Sequence, residues 1–81
     1  MSLTIIEKRV LDLLEDFGED IEEIVKELES EGDAEIDSIY FIELIPFLES
    51  EFNVTINPVN IHDNSKRSFK SFCNLVEHLI N

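Results

Sequence analysis

The sequence predicts a small all-α protein, a four-helix bundle that forms one domain over residues 1–81. Apolar residues recur at intervals of three and four in four separate segments, which is the spacing of one helix face. The segments between them are polar or contain glycine or proline, and they hold no alternating run long enough for a paired strand. A chain of 81 residues is sufficient for one hydrophobic core.

The first two helices are predicted in the N-terminal part of the chain. One runs from Leu3 to Phe17, where Gly18 ends it. A short second helix covers Ile21 to Leu28, with Asp20 as the candidate N-cap. The acidic, glycine-containing segment 29–35 is predicted to be an exposed loop.

The third helix is predicted to follow Asp37, its candidate cap. Its inward stripe consists of Ile39, Ile42, Ile45, Leu48 and Phe52. Residues 53–57 are predicted to be a loop that ends in a turn at Asn57–Pro58, so no sheet is expected.

Residues 60–66 are polar and are expected to form a short helical turn at most. The last helix begins at Ser68 or Ser71. Its inward residues are Phe69, Phe72, Leu75, Val76 and Leu79.

The charge balance is strongly acidic, with 19 Asp and Glu against 6 Lys and Arg and a net charge of −13. Such a charge repels nucleic-acid phosphates and anionic membranes, so neither is an expected partner, and it favours proteins with basic patches. We expect a monomer without a secretory leader or membrane span. A single cysteine, Cys73, excludes an internal disulfide, suits the reducing cytoplasm and is expected in the core.

No metal site is predicted. Asp33, Glu35 and Asp37 alternate like the first ligands of a calcium loop, but Ser38 stands where that loop needs glycine. Leu44 stands where the loop needs a bidentate glutamate.

No catalytic centre is predicted either. His62 and His78 are too far apart in the sequence to suggest a zinc site. The five-residue spacing of Cys73 and His78 turns their side chains apart on a helix. We therefore do not expect an enzyme.

The most informative segment is 36–58, where a serine stands at the start of an acidic amphipathic helix. Ser38 lies between Asp37 and Ile39. The rest of the pattern is Glu43-Leu44, Leu48-Glu49, Phe52, Val54 and Ile56. A hydroxyl at this position is expected at the surface, at the positive end of the helix dipole, where a phosphate ester is well tolerated.

This pattern resembles the acyl carrier protein family of phosphopantetheine-binding carrier proteins, whose arm is attached to the serine of an Asp-Ser-Leu motif. The resemblance implies a four-helix bundle of the acyl-carrier-protein type. It also implies that Ser38, flanked by Asp37 and Ile39, receives 4′-phosphopantetheine from a transferase that uses coenzyme A and magnesium. The arm would hold an acyl or aminoacyl group as a thioester. Ile39 and Ile42 would offer this group an apolar surface to lie against.

The implied partners are the phosphopantetheinyl transferase, an acyl- or aminoacyl-loading ligase, and downstream transferases or synthases with basic patches. Ile42, Glu43, Pro46 and Glu49 are the expected contact residues. Pro46 departs from the family pattern because it removes a hydrogen bond to the Ile42 carbonyl and is expected to kink the helix. An altered partner set and a structural kink both remain open.

Two other departures concern Ile39, which replaces the usual leucine, and the helical segment from Ile21 to Leu28, where the family has a long loop. Residues 58–70 are similar to D-alanyl and other stand-alone aminoacyl carrier proteins as much as to fatty-acid carriers. The apolar Tyr40-Phe41 pair departs from the more polar residues common in fatty-acid carriers, so an aminoacyl or other specialised pathway is favoured over fatty-acid synthesis. An alternative of another class is an unmodified acidic adaptor that binds a basic partner through the third helix.

Overall fold

A computed structural model describes residues 3–57 and 66–80 of the chain. The elements follow in the order α1 (Ile5–Asp16), α2 (Ile21–Glu31), β1 (Glu35–Asp37), α3 (Ser38–Phe52), β2 (Lys66–Ser68) and α4 (Phe69–Ile80). The four predicted helices are confirmed. The purely α-helical class is wrong in one respect, because β1 and β2 form a small sheet.

Side-chain caps begin the first two helices. The Thr4 hydroxyl accepts a hydrogen bond from the Glu7 amide at 3.1 Å, and the Glu7 carboxylate accepts one from the Thr4 amide at 2.9 Å. This capping box satisfies two amide groups that a helix start leaves without partners. Asp20 caps α2 as predicted, by accepting from the Glu23 amide at 3.3 Å. Gly32 ends α2 with φ at 81°, a conformation that favours glycine.

The sheet is antiparallel, and it pairs Glu35 with Ser68, Ile36 with Arg67 and Asp37 with Lys66. The prediction that no sheet forms is therefore wrong. The predicted loop 29–35 is wrong at both ends, because residues 29–31 continue α2 and residue 35 begins β1. Each strand has only three residues, which is too short to show an alternating pattern, and the whole of α3 separates them. Residues 53–57 form no strand, as predicted.

The core lies between α1, α3 and α4, and fills with aromatic and aliphatic side chains. The rings of Phe41 on α3 and Phe72 on α4 stack with centroids 4.3 Å apart. The largest fully buried side chains are Phe41, Phe69, Phe72, Leu14, Leu44, Leu48, Val10, Val76 and Cys73. Burial of these groups is the main favourable term in folding a domain of this size.

The predicted inward stripe of α3 is correct at Ile45 and Leu48 and wrong at Ile39, which is 54% exposed. Phe41 and Leu44 are the fully buried residues of this helix that the stripe omitted. The error arose because α3 carries apolar residues on most of its circumference, so spacing alone does not define its inner face.

Some expectations lie outside the described residues, namely the turn at Asn57–Pro58, the helical turn up to residue 65 and the role of His62. Within residues 3–57 and 66–80, no helix is both long and apolar enough to cross a membrane.

Candidate functional site

Ser38 is the first residue of α3 and directly follows β1. Asp37 caps the helix by accepting a hydrogen bond from the Ile39 amide at 3.2 Å. The predicted cap and helix start are therefore both confirmed. The start of α3 is set locally, because an aspartate at the N-cap satisfies an amide that has no partner within the helix.

The exposure predicted for Ser38 is wrong, since the residue is only 6% exposed. Its helix position explains the burial. Ser38 precedes Phe41 by three residues and Ile45 by seven, so all three lie on the core face of α3. β1 ends at Asp37, the residue before Ser38, where it pairs with Lys66 of β2.

The outer face of α3 begins at the next residue and combines apolar and acidic side chains. Ile39 is 54% exposed, and Glu43 and Pro46 are exposed farther along the helix. Ile42 is half-buried and packs against the core. Of the predicted contact residues, Glu43 and Pro46 are thus available to a partner together with Ile39.

Phe47 also belongs to this outer face, and the sequence reasoning missed it. The side chain is 50% exposed and contacts Phe17 edge to face, with ring centroids 5.8 Å apart. Its spacing of four residues from Glu43 and eight from Ile39 is the signal that could have placed it on this face. We define the outer face as Ile39, Glu43, Pro46 and Phe47.

Glu49, the fourth predicted contact residue, is half-buried and bonds within the chain. Its carboxylate accepts a hydrogen bond from the Ile56 amide at 2.9 Å. This bond fixes the loop after α3, where Asn53 adopts the left-handed conformation with φ at 56°. Glu51, two residues farther along α3, is exposed and forms an ion pair with Arg9 on α1.

Asp33 joins the segment before β1 to the start of α4, a role that the calcium-loop comparison did not suggest. One carboxylate oxygen accepts from the amides of Ala34 at 2.8 Å and Lys70 at 3.0 Å. The other oxygen accepts from the Ser68 hydroxyl. Burial raises the pKa of Asp33, but the hydrogen bonds from Ser68, Lys70 and Ala34 outweigh it and lower the pKa below its usual value.

Cys73 lies in the core, as predicted. Burial, together with the negative charge of Glu7, raises the pKa of this thiol far above its usual range. The thiolate that would act as a nucleophile is therefore not formed near neutral pH. In the part of the chain that the structure describes, no group of three or more His, Cys, Asp or Glu is arranged to hold a metal ion.

No protein-family model, curated protein or solved structure matches this chain. The resemblance to carrier proteins therefore rests on the residues of the motif themselves. The geometry joins a serine at a capped helix start to an outer face that offers Ile39 and Glu43 within the first two turns of the same helix. Such a face suits transient contact with a protein that has an apolar hollow with basic residues at its edge.

Proposed function

We propose that the protein is a carrier that holds acyl or aminoacyl groups as thioesters on a 4′-phosphopantetheine arm attached to Ser38. The observation that carries the proposal is the position of Ser38 as the first residue of α3, capped by Asp37. An aminoacyl or specialised biosynthetic pathway is preferred to fatty-acid synthesis. The fold would then be a carrier-type bundle with an added two-stranded sheet.

Attachment is a group transfer in which the Ser38 hydroxyl oxygen attacks the pyrophosphate of coenzyme A. A new phosphate ester bond forms, the adenosine bisphosphate part leaves, and the serine proton passes to a base on the transferase. The N-terminus of α3 tolerates the resulting negative charge, since the helix dipole favours anions there. Because Ser38 is 6% exposed, its surroundings must open before the hydroxyl reaches the transferase.

The proposed partners are the transferase, a loading ligase and downstream transferases or synthases with basic patches. They would dock on the outer face of α3. There the negative charge of Glu43 would attract the basic residues of the partner, and Ile39 would make apolar contact with it. Contacts of this kind form and dissociate rapidly, as a monomeric cytoplasmic shuttle requires. The protein itself would catalyse no reaction.

The burial of Ser38 favours a second candidate, an unmodified acidic adaptor. Such a protein would bind a basic partner through the outer face of α3 and would need no hydroxyl at position 38. The two candidates differ in what Ser38→Ala does. A carrier loses its function with this change, whereas an adaptor keeps it.

The deciding experiment is the intact mass of the protein before and after incubation with coenzyme A, magnesium and a broad-specificity phosphopantetheinyl transferase. We expect one added phosphopantetheinyl group, and none in Ser38→Ala. Ser50→Ala is the matched control, because Ser50 is an exposed serine on the same helix and its loss leaves the modification unchanged. No addition by several such transferases would reject the carrier and support the adaptor.

A further inference from the structure

Ile5, the first residue of α1, is the most exposed large apolar side chain of the described residues, at 78%. Two open hollows flank it, with volumes of about 250 Å³ and about 240 Å³, and Ile5 and Phe52 line both of them. The wall of the larger hollow is completed by Ile6, Glu77 and Ile80, so it is mainly apolar. We call these five residues the Ile5 patch. An exposed apolar side chain beside an apolar hollow is typical of an interaction surface.

The charges around the Ile5 patch nearly cancel, although the whole chain carries a net charge of −13. The smaller hollow is lined by two cations, Lys8 and Arg9, and by two anions, Asp12 and Glu51. A basic partner would therefore be attracted more strongly to other parts of the surface. A nearly neutral, apolar patch suits a facing surface of the same kind, and a second copy of this chain presents such a surface.

The shape of the Ile5 patch also suits a second copy, because an exposed side chain lies next to a hollow. In a two-fold symmetric interface both copies contribute the same surface, so each contact occurs twice. Ile5 of one copy would enter the hollow of the other beside Phe52 and Ile80, and the reverse contact would form by symmetry. Lys8 is exposed and forms no ion pair within the part of the chain that the structure describes. Its ammonium is therefore available to a carboxylate of the second copy.

We propose that the Ile5 patch is the contact surface of a weak, two-fold symmetric dimer of this chain. Stable interfaces take about 20–30 residues from each partner, many more than the Ile5 patch and its charged edge supply. The monomer is therefore the main form in dilute solution. Ser38 precedes Phe52 by fourteen residues on α3, about 21 Å along the helix axis, so the dimer leaves Ser38 free. The proposal does not depend on the carrier function.

Sedimentation equilibrium of the full chain tests the proposal over protein concentrations from about 10 μM to about 1 mM. We expect the weight-average mass to rise from the monomer value of 9.4 kDa towards twice that value. Both copies carry a net charge of −13, so their long-range repulsion opposes association. Association is therefore expected to strengthen between about 0.05 M and about 0.5 M sodium chloride, which screens this repulsion.

Ile5→Glu is the decisive variant, and we expect it to raise the dissociation constant of the dimer about tenfold or more. The fold should tolerate this change, because the side chain is exposed and the helix dipole favours an anion in the first turn. The matched control is Ile39→Glu, the same substitution at an exposed position in the first turn of α3. It is expected to change the dissociation constant by less than about twofold. Ile5→Leu retains the apolar contact and should still associate.

Loss of association in Ile5→Glu alone, with an unchanged thermal midpoint, would support the dimer. A mass that stays at the monomer value up to about 1 mM protein at high salt would overturn it and leave the Ile5 patch to a different protein. Equal weakening by Ile5→Glu and Ile39→Glu would also overturn it, because the added charge and not the patch would then be the cause. A mass above twice the monomer value would exclude a closed two-fold pair.

Discussion

The carboxylate of Glu7 on α1 lies 3.1 Å from the Lys70 ammonium on α4, although the Glu7 side chain is only 7% exposed. The same carboxylate completes the capping box with Thr4. One acidic group therefore both begins α1 and joins it to α4. A buried charge is tolerated only where it is paired and hydrogen-bonded in this way.

Stability is expected to fall in acid because of Glu7 and Asp33. Burial raises the pKa of Glu7, but hydrogen bonds from Thr4 and the nearby Lys70 outweigh burial and lower it. The hydrogen bonds from Ser68, Lys70 and Ala34 lower the pKa of Asp33 in the same way. A lowered folded-state pKa contributes stability that is complete above the unfolded value of about 4. That contribution is lost as the pH falls through the folded values.

The measurement is the urea midpoint between about pH 7 and about pH 3, where we expect a steady decrease below about pH 5. The control is the double variant Glu7→Gln and Asp33→Asn, which should be less stable at neutral pH and lose less stability in acid. A native midpoint that does not change with pH would contradict the role of these two carboxylates.

Removal of the stacked Phe72 ring on α4 is expected to destabilise the protein strongly. Phe72→Ala leaves a cavity against Phe41 and should lower the free energy of unfolding by about 3–5 kcal/mol. Phe47→Ala removes a ring that is 50% exposed, so we expect a smaller loss of about 1 kcal/mol. Urea denaturation of both variants measures the two losses in the free energy of unfolding. Similar losses would mean that the Phe41–Phe72 stack contributes no more to stability than the half-exposed ring of Phe47.

Pro46→Ala is expected to stabilise the protein, because α3 continues through this proline up to Phe52. A proline inside a helix is less favourable than alanine by about 3 kcal/mol, which is the upper limit of the gain. The thermal midpoint measures this effect. An unchanged or lower midpoint would mean that the helix is adapted to the proline.

The same variant separates the two interpretations of Pro46 that the sequence left open. Binding to the proposed phosphopantetheinyl transferase partner, measured on the stable variant, should decrease if the exposed proline ring contacts that partner. Unchanged binding together with higher stability would identify Pro46 as a structural residue only.

Salt is expected to stabilise the fold, since a net charge of −13 on 81 residues produces strong self-repulsion. The thermal midpoint should rise between about 0.01 M and about 0.5 M sodium chloride, as the screening length shortens. A variant with Glu22→Gln and Glu29→Gln, both exposed on α2, should show a smaller rise. A midpoint independent of salt would show that the acidic surface is not under electrostatic strain.

The sequence was sufficient for those parts of the fold that depend on neighbours along the chain. The caps at Asp20 and Asp37 were predictable because each bonds to an amide within three residues. The start of α4 was predicted at Ser68 or Ser71, and the helix begins at Phe69, one residue after the first of these candidates. The capping box at the start of α1, with Thr4 as the N-cap and Glu7 as its partner, follows the same local rule, although it was not predicted.

The position of the candidate site could be predicted from the sequence, but the burial of its serine could not. Ser38 was identified as the start of a helix, and this is correct. Its burial depends on the rotation of α3 about its own axis, which is set by the fit of Phe41 against Phe72 on another helix. The exposure of Phe47 follows from the same rotation.

The sequence by itself determined the four helices, most of their ends and the acidic surface, because these depend on spacing of three or four residues and on composition. Tertiary structure decided that Ser38 faces inward, that β1 pairs with β2, and that Asp33 binds Ser68, 35 positions away. The physical reason is that a hydrogen bond between distant residues leaves no periodic trace in either segment. It forms only when the packed core of α1, α3 and α4 brings the two segments together.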